Sequence, residues 1–290
     1  MTKKKVTIDL RLGSGFGAVL VLLFVSATLA FLPQGAMGSE GISYSGSSTV
    51  GTGVLEAGAI EALETKTKIR FTAIEQPGSG KGIMALLDGK VNLAGASRPL
   101  KRKEKKQKLL AHVIGYDAIA VFIHVSNPID NLTKEQLKGI FTGRITNWKE
   151  VGGKDAAITP NTEILGEKRA TALEFQKLAM DGELYGKGFT EIDYPKDQIN
   201  LLAGEETGIC TVSIGLLSVV KNDVQSRVKV IAVNGVEPSK DNIHGGKYLI
   251  FRPLLLITKG LPGGDVKKFI DFMRSRVGQD IVTKNFVSVR

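Results

Sequence analysis

Ser43-Tyr44-Ser45-Gly46-Ser47-Ser48-Thr49-Val50-Gly51-Thr52-Gly53 crowds small hydroxyls and glycines just ahead of the first amphipathic helical pattern of the chain. Glycine lets a backbone turn back on itself. Serine and threonine supply short donors and helix caps, and the first-turn N–H groups of the following helix favour negative charge. Alone, the stretch reads as a capped loop or as an oxyanion cradle. Two more turns of the same chemistry follow, Gly78-Ser79-Gly80-Lys81-Gly82 and Ala96-Ser97-Arg98-Pro99, each with a hydroxyl where a helix should begin. Neither is a Walker loop, which needs four residues between its first glycine and Gly-Lys-Ser/Thr, and neither carries the dinucleotide fingerprint. Repetition of the turn favours the cradle.

Around these turns the chain reads as α/β. Val54, Leu55, Ala59, Ala62 and Leu63 fall at helical spacing, and the stretch from Lys68 to Ile74 alternates like a strand. Ile83, Leu86 and Leu87 form a second helix ended by Gly89, and the stretch from Lys90 to Gly95 is the next strand. The continuous apolar run from Ala118 to Ile123 predicts a strand buried on both faces of a sheet. Asn127-Pro128-Ile129-Asp130-Asn131 breaks the pattern, and a Thr-x-x-Gln capping box from Thr133 to Gln136 opens the next helix, so a lobe boundary falls here. A helix from Thr171 to Met180 and strands at 208–214 and 228–233 continue the succession. The run from Tyr248 to Thr258 is apolar enough for a central strand, but Pro253 requires an interruption or an edge. Val266, Phe269, Ile270, Phe272 and Met273 mark the last helix.

The start of the 290-residue chain has Lys3, Lys4 and Lys5, then an apolar stretch richest from Phe16 to Leu32, then small residues at Ala36 and Gly38. This is the pattern of a secretory leader cut before Ser39. The competing reading is an uncleaved anchor, since about 17 apolar residues lie near the lower limit for a spanning helix. No cysteine lies near the cut, which excludes a lipoprotein anchor. The net charge of +10 stays positive once Lys3, Lys4, Lys5, Arg11 and Asp9 leave with the leader, and it suits an anionic ligand. Much of the excess lies in the basic run from Lys101 to Lys108, expected as the exposed face of a helix with Pro99 in its first turn. No aromatic residues interleave with these lysines, which argues against nucleic acid as a partner. The one cysteine, Cys210, sits in a strand-like run and reads as a buried, inert thiol. His112, His124 and His244 lie far apart without metal-ligand spacing, and no Gly-x-Ser-x-Gly elbow is placed between strand and helix. Neither an enzyme nor a cofactor protein is expected.

With those residues in view, the chain resembles the phosphate-binding proteins of bacterial ABC importers, within the bilobed type 2 periplasmic binding proteins. The marks are Ser45 to Val50, Gly78 to Ile83 and Ala96 to Leu100, followed by Asn131 to Leu137, Ile140 to Trp148, and Arg252-Pro253-Leu254 before Thr258-Lys259-Gly260. The resemblance implies two α/β lobes joined by crossing strands, with an anion enclosed in the cleft between them. It also implies that residues 1–38 are the leader, that lobe one comprises residues 39–125 and 248–290, and that lobe two comprises residues 126–247. The ligand donors it implies are Ser48 and Thr49 in the first turn, Ser79 and Gly80 in the second, and Ser97 with Arg98 in the third. Asp117 is a candidate to accept the proton of a hydrogen phosphate.

One stretch departs from the family pattern. Members carry an arginine, a short spacer and Ser-Gly-Thr at the mouth of a lobe-two helix, where this chain has Leu165-Gly166-Glu167-Lys168-Arg169-Ala170-Thr171. Leu165 stands at the arginine position and only Thr171 is kept as a donor. A guanidinium offers two charge-assisted bonds in a fixed fork, so its loss weakens phosphate capture or changes the ligand; Arg169 either restores the charge from a new position or fills the space the anion would need. Two readings follow. The first is a periplasmic or secreted, monomeric binding protein that hands phosphate or a similar oxyanion to an ABC importer permease. The second is a non-transporting relative with a degenerate pocket, acting as a sensor or partner-binding module.

Overall fold

The computed structural model describes residues 41–289, so the leader expected at residues 1–38 lies outside the described residues. Ten strands among the described residues form one continuous sheet. They are β1 (Ile42–Gly46), β2 (Phe71–Glu75), β3 (Leu93–Ala96), β4 (Leu109–His124), β5 (Asn131–Leu132), β6 (Thr159–Glu163), β7 (Thr190–Ile192), β8 (Gly208–Ser213), β9 (Val228–Val233) and β10 (Phe251–Lys259). Their spatial order is β2-β1-β3-β10-β4-β8-β6-β7, with β9 also on β4 and β5 on β9.

The spine is β4. Its first part, from Leu109 to Ala118, pairs antiparallel with β10, and its last part, from Ile119 to His124, pairs with β8 and β9. On the β10 side lie the parallel strands β3, β1 and β2, and on the β8 side the parallel strands β6 and β7. The result is two α/β lobes sharing one strand. A second crossing runs beside the first, where the amide of Ile119 donates to the Ile250 carbonyl (2.9 Å) and the Tyr248 hydroxyl donates to the Ile119 carbonyl (3.0 Å).

The apolar run from Ala118 to Ile123 does serve both faces. Ile119, Val121 and Ile123 enter one core with Phe141, Trp148 and Phe175, while Ala120 and Phe122 enter another with Ile199, Leu202 and Cys210. Alternation by twos thus feeds two cores from one strand. Burying a side chain such as Phe122 contributes about 1.5–3 kcal/mol. Lobe one has its own pair of cores, one around Tyr44, Leu55 and Phe269 and one around Ile83, Ala94 and Ile257. The capping box of the helix Lys134–Phe141 is present, since Thr133 Oγ1 accepts from the Gln136 amide and Gln136 Oε1 accepts from the Thr133 amide. Cys210 is buried, which pushes its thiol pKa well up, and the Trp148 indole donates to the Thr207 carbonyl (2.9 Å).

Pro253 is accommodated at a local edge inside a central strand. β3 pairs only with residues 255–257 of β10, and opposite Pro253 the polar groups of Tyr116 turn away to Val287. No ladder bond is lost. The basic run differs from the expectation. The helix covers only Arg102–Lys105, Lys101 is its N-cap, and Pro99 lies before it rather than in its first turn. The turn exists to face Glu104 inward, where it is 7 % exposed and bonds both the Lys101 amide and Arg98. Among the described residues no helix is long and apolar enough to cross a membrane.

Candidate anion-binding site

Three helix starts meet at one small hollow between the lobes. Ser47, Ser48 and Thr49 come from the turn after β1, Gly78 and Ser79 from the turn after β2, and Ser97 from the end of β3. Lobe two supplies Glu163 from the end of β6, and Arg169, Ala170 and Thr171 from the start of the helix Ala170–Leu178. The N-cap residues of these three helices, Ser47, Gly78 and Arg169, make no side-chain capping bond. Thr133, Ser239 and Ser275 cap theirs, while the helices after Ala59, Tyr194, Lys221 and Gly263 are likewise uncapped by side chains. The helix starts at the hollow therefore keep their positive ends turned toward it.

Glycines hold the lobe-one turns at this distance. Gly46 lies opposite Gly95 in the β1–β3 register, and a Cβ on Gly46 would stand 2.3 Å from the Gly95 carbonyl oxygen. A Cβ on Gly82 would stand 2.3 Å from the Ser45 oxygen. The Ser47 amide donates to the Gly95 carbonyl and the Gly78 amide to the Gly46 carbonyl, each at 3.0 Å. Gly78 holds φ at 99°, which disfavours any side chain.

The hydroxyls are set as donors. Ser79 Oγ accepts from the Ser97 amide (3.2 Å), and Ser97 Oγ accepts from the Ser47 hydroxyl (2.9 Å). Thr49 Oγ1 and Thr171 Oγ1 each accept from the guanidinium of Arg252 at 3.2 Å. A hydroxyl that has accepted still carries its own hydrogen. On the lobe-two side Glu163 already uses two donors: its carboxylate takes the Ala172 amide at 3.0 Å and the Thr171 hydroxyl.

Two guanidinium groups and two carboxylates set the local field. Arg169 is nearly buried, pairs through Nη2 with Asp193, and leaves its Nε buried without a partner. Glu163 is 4 % exposed, and burial pushes its carboxyl pKa up against the pull of the Ala172 amide, Arg252, Arg169 and Thr171. Burial also raises Asp117, which Arg252, the Ser213 hydroxyl and the Ile214 amide pull back. Arg252 Nε meets Asp117 Oδ2 at 3.0 Å, and Ser213 Oγ donates to Asp117 Oδ1 at 2.8 Å.

Of the residues expected from sequence, Ser48, Thr49, Ser79, Ser97 and Thr171 line the hollow together. Gly80, Arg98 and Asp117 do not line it. Gly80 is exposed, and Arg98 turns its fork onto Glu104 with two bonds of 2.8 Å. Asp117 is held behind the hollow by Arg252. Glu163, Arg252, Ser47 and Gly78 were not among the expected residues. A lone arginine in the apolar strand β10 is a signal for a buried, paired charge, but its partner lies 135 residues away. The hollow is small, ≈ 10 Å³, room on the order of one water molecule. Outside it a cavity of ≈ 870 Å³ opens, with the Lys81–Glu167 ion pair spanning from lobe to lobe on its wall.

Two lobes about a small donor-lined hollow define a binding protein of the periplasmic type, and the PBP superfamily domain matches residues 33–277. The phosphate-binding protein PstS of Borreliella burgdorferi is 30 % identical over 273 residues, covering 91 % of this chain and 95 % of its own. That of Bacillus subtilis is 29 % identical, covering 84 % of this chain and 79 % of its own. A Clostridium perfringens structure, described as a phosphate ABC transporter substrate-binding protein with bound phosphate, is 36 % identical with a TM-score of 0.77, covering 86 % of this chain and all of that one. The chain belongs to the PBP superfamily and, within it, to the family of the phosphate-binding proteins PstS.

Proposed function

We propose that this protein is a secreted or periplasmic substrate-binding protein, not an enzyme, that captures phosphate between its lobes for an ABC importer. The observation that carries the reading is the set of hydroxyls at the hollow. Thr49, Ser79 and Ser97 each accept from a donor of the protein and keep their own hydrogens for an anion, while the Thr171 hydrogen goes to Glu163 until a guest takes it over. Ser48, Thr49, Ser79, Ser97 and Thr171 are the proposed contacts, joined by Arg169 in place of the family arginine missing at Leu165. Arg98 and Asp117 act as structural ion pairs. Lobe one is drawn from residues 39–125 and 248–290 and lobe two from residues 126–247, with Ile119 to His124, Tyr248 and Ile250 reaching across to pack with lobe two, and the hinge lies where β4 and β10 pass between them. The partner is the membrane permease of the importer, and the binding protein itself acts as a monomer. Residues 1–38 direct export.

The second reading, a relative with a degenerate pocket, is favoured by Glu163, which sets a carboxylate where an anion would sit. Calorimetric titration with phosphate separates the two. The first reading expects one site per chain, and no heat with no thermal shift at millimolar phosphate would leave only the second.

A further inference from the structure

Arg252 is 1 % exposed, yet it is not among the residues lining the hollow. It stands on β10 directly opposite Asp117 on β4, at the place where both strands pass from lobe to lobe. Its Nε and Nη2 reach Asp117 Oδ2 at 3.0 and 2.9 Å, so its charge is already matched. A buried ion pair of this kind is a weak source of stability, since well-packed apolar replacements are often neutral or better. The two remaining contacts suggest why it is kept. Nη2 donates to Thr49 Oγ1 in lobe one, and Nη1 donates to Thr171 Oγ1 in lobe two.

A threonine hydroxyl has one hydrogen and two accepting positions. When a guanidinium fills one of the accepting positions, the hydroxyl hydrogen must point elsewhere, and donation from a cation polarises it into a stronger donor. We infer that Arg252 is a positioning residue for anion capture. From behind the hollow it fixes the hydroxyls of Thr49 and Thr171 as donors, one from each lobe, and it touches both only when the lobes are closed together. In the empty site the Thr171 hydrogen goes to Glu163, and a guest anion takes it over.

The inference rests on the phosphate-binding reading, and the test separates the two. Phosphate affinity and melting temperature are measured on the full chain for the unaltered protein, for Arg252→Met with Asp117→Asn so that no buried charge is orphaned, and for Arg252→Lys. Each is also made with Thr49→Val. The expected result is a loss of affinity of roughly 10-fold or more in Arg252→Met/Asp117→Asn with little change in melting temperature. Thr49→Val should cost about 10-fold in the unaltered protein but under about 2-fold once Arg252 is gone, the non-additivity expected of coupled groups. Equal losses from Thr49→Val in both backgrounds, or unaltered affinity in the double variant, would overturn the inference. If the double variant does not fold, the same cycle is read in Arg252→Lys, whose single ammonium holds Asp117 but not both threonines. Failure of the unaltered protein to bind phosphate would overturn the functional reading itself, and this inference with it.

Discussion

The two sides of the hollow are built on different principles. The lobe-one side is fixed by close approach: Gly46 and Gly82 let backbone lie against backbone, Gly95 makes room for the Tyr44 ring, the Ser47 hydroxyl donates to the Ser97 hydroxyl, and the Ser97 amide donates to the Ser79 hydroxyl. The lobe-two side is set by charge: Arg169 has an unpartnered Nε, Thr171 leans on Arg252, and Glu163 takes donors a guest would use. Shape on the first side tolerates almost no change, whereas charge on the second can be adjusted without rebuilding the backbone. The departure from the family pattern falls on the adjustable side.

The sharpest way to break the contrast is Gly46→Ala. Its Cβ would stand 2.3 Å from the Gly95 oxygen, so β1 and β3 must part. Strain of this kind costs about 1–3 kcal/mol, and phosphate binding should fall by roughly 100-fold or more. Calorimetry showing unaltered affinity would contradict the steric account of lobe one.

Glu163→Gln should act in the opposite direction. It removes negative charge while keeping an acceptor for the Ala172 amide, so phosphate should bind about 10-fold tighter at neutral pH. The same change probes stability. Burial raises the Glu163 carboxyl in the folded state, so its stabilising contribution is present below the ordinary carboxylate range and is lost as pH rises through the raised value. The variant should therefore melt higher than the unaltered protein at neutral pH. Thermal scans should converge in acid, and a gain that is constant with pH would rule out ionisation as its source.

Arg169→Met should weaken phosphate by about 10-fold, since a hydrogen bond to a charged group contributes about 1.5–3 kcal/mol. Leu165→Arg with Arg169→Ser and Ala170→Gly restores the family pattern and should tighten binding relative to the unaltered chain. If it weakened binding instead, Arg169 would be the better clamp. The smallest effect is expected from Lys81→Met, which removes a half-exposed pair across the cleft. Such pairs are worth about 0–1 kcal/mol, so affinity should change by less than about 5-fold.

Much of this architecture was legible in the chain. Apolar runs placed β8, β9 and the last part of β4, from Ala118 to Ile123, because each is set by a pattern within a few residues, whereas the first part of β4, from Leu109, goes unread. Ser48, Thr49 and Ser79 could be found because hydroxyls at helix starts announce themselves locally, whereas Ser97, expected at a helix start, instead follows β3 and the next helix begins only at Arg102. Arg98 could not be read correctly, since the partner that turns it away, Glu104, looked like part of a solvated basic face. Asp117 stands out beside its apolar run, but Arg252 enters the sequence reading only within a family mark and not as a buried charge. Their pairing, 135 residues apart, depends on strand register. Glu163 gave no local sign, because its environment is made by the fold.

The most direct test of the account is a crystal soaked with arsenate, a phosphate analogue whose arsenic scatters anomalously. The account predicts one strong peak in the hollow, with oxygens in hydrogen-bond reach of Thr49, Ser79, Ser97 and Thr171. A peak only in the outer cavity beside Lys81 and Glu167, or an empty hollow with Glu163 still bonded to the Ala172 amide, would contradict it.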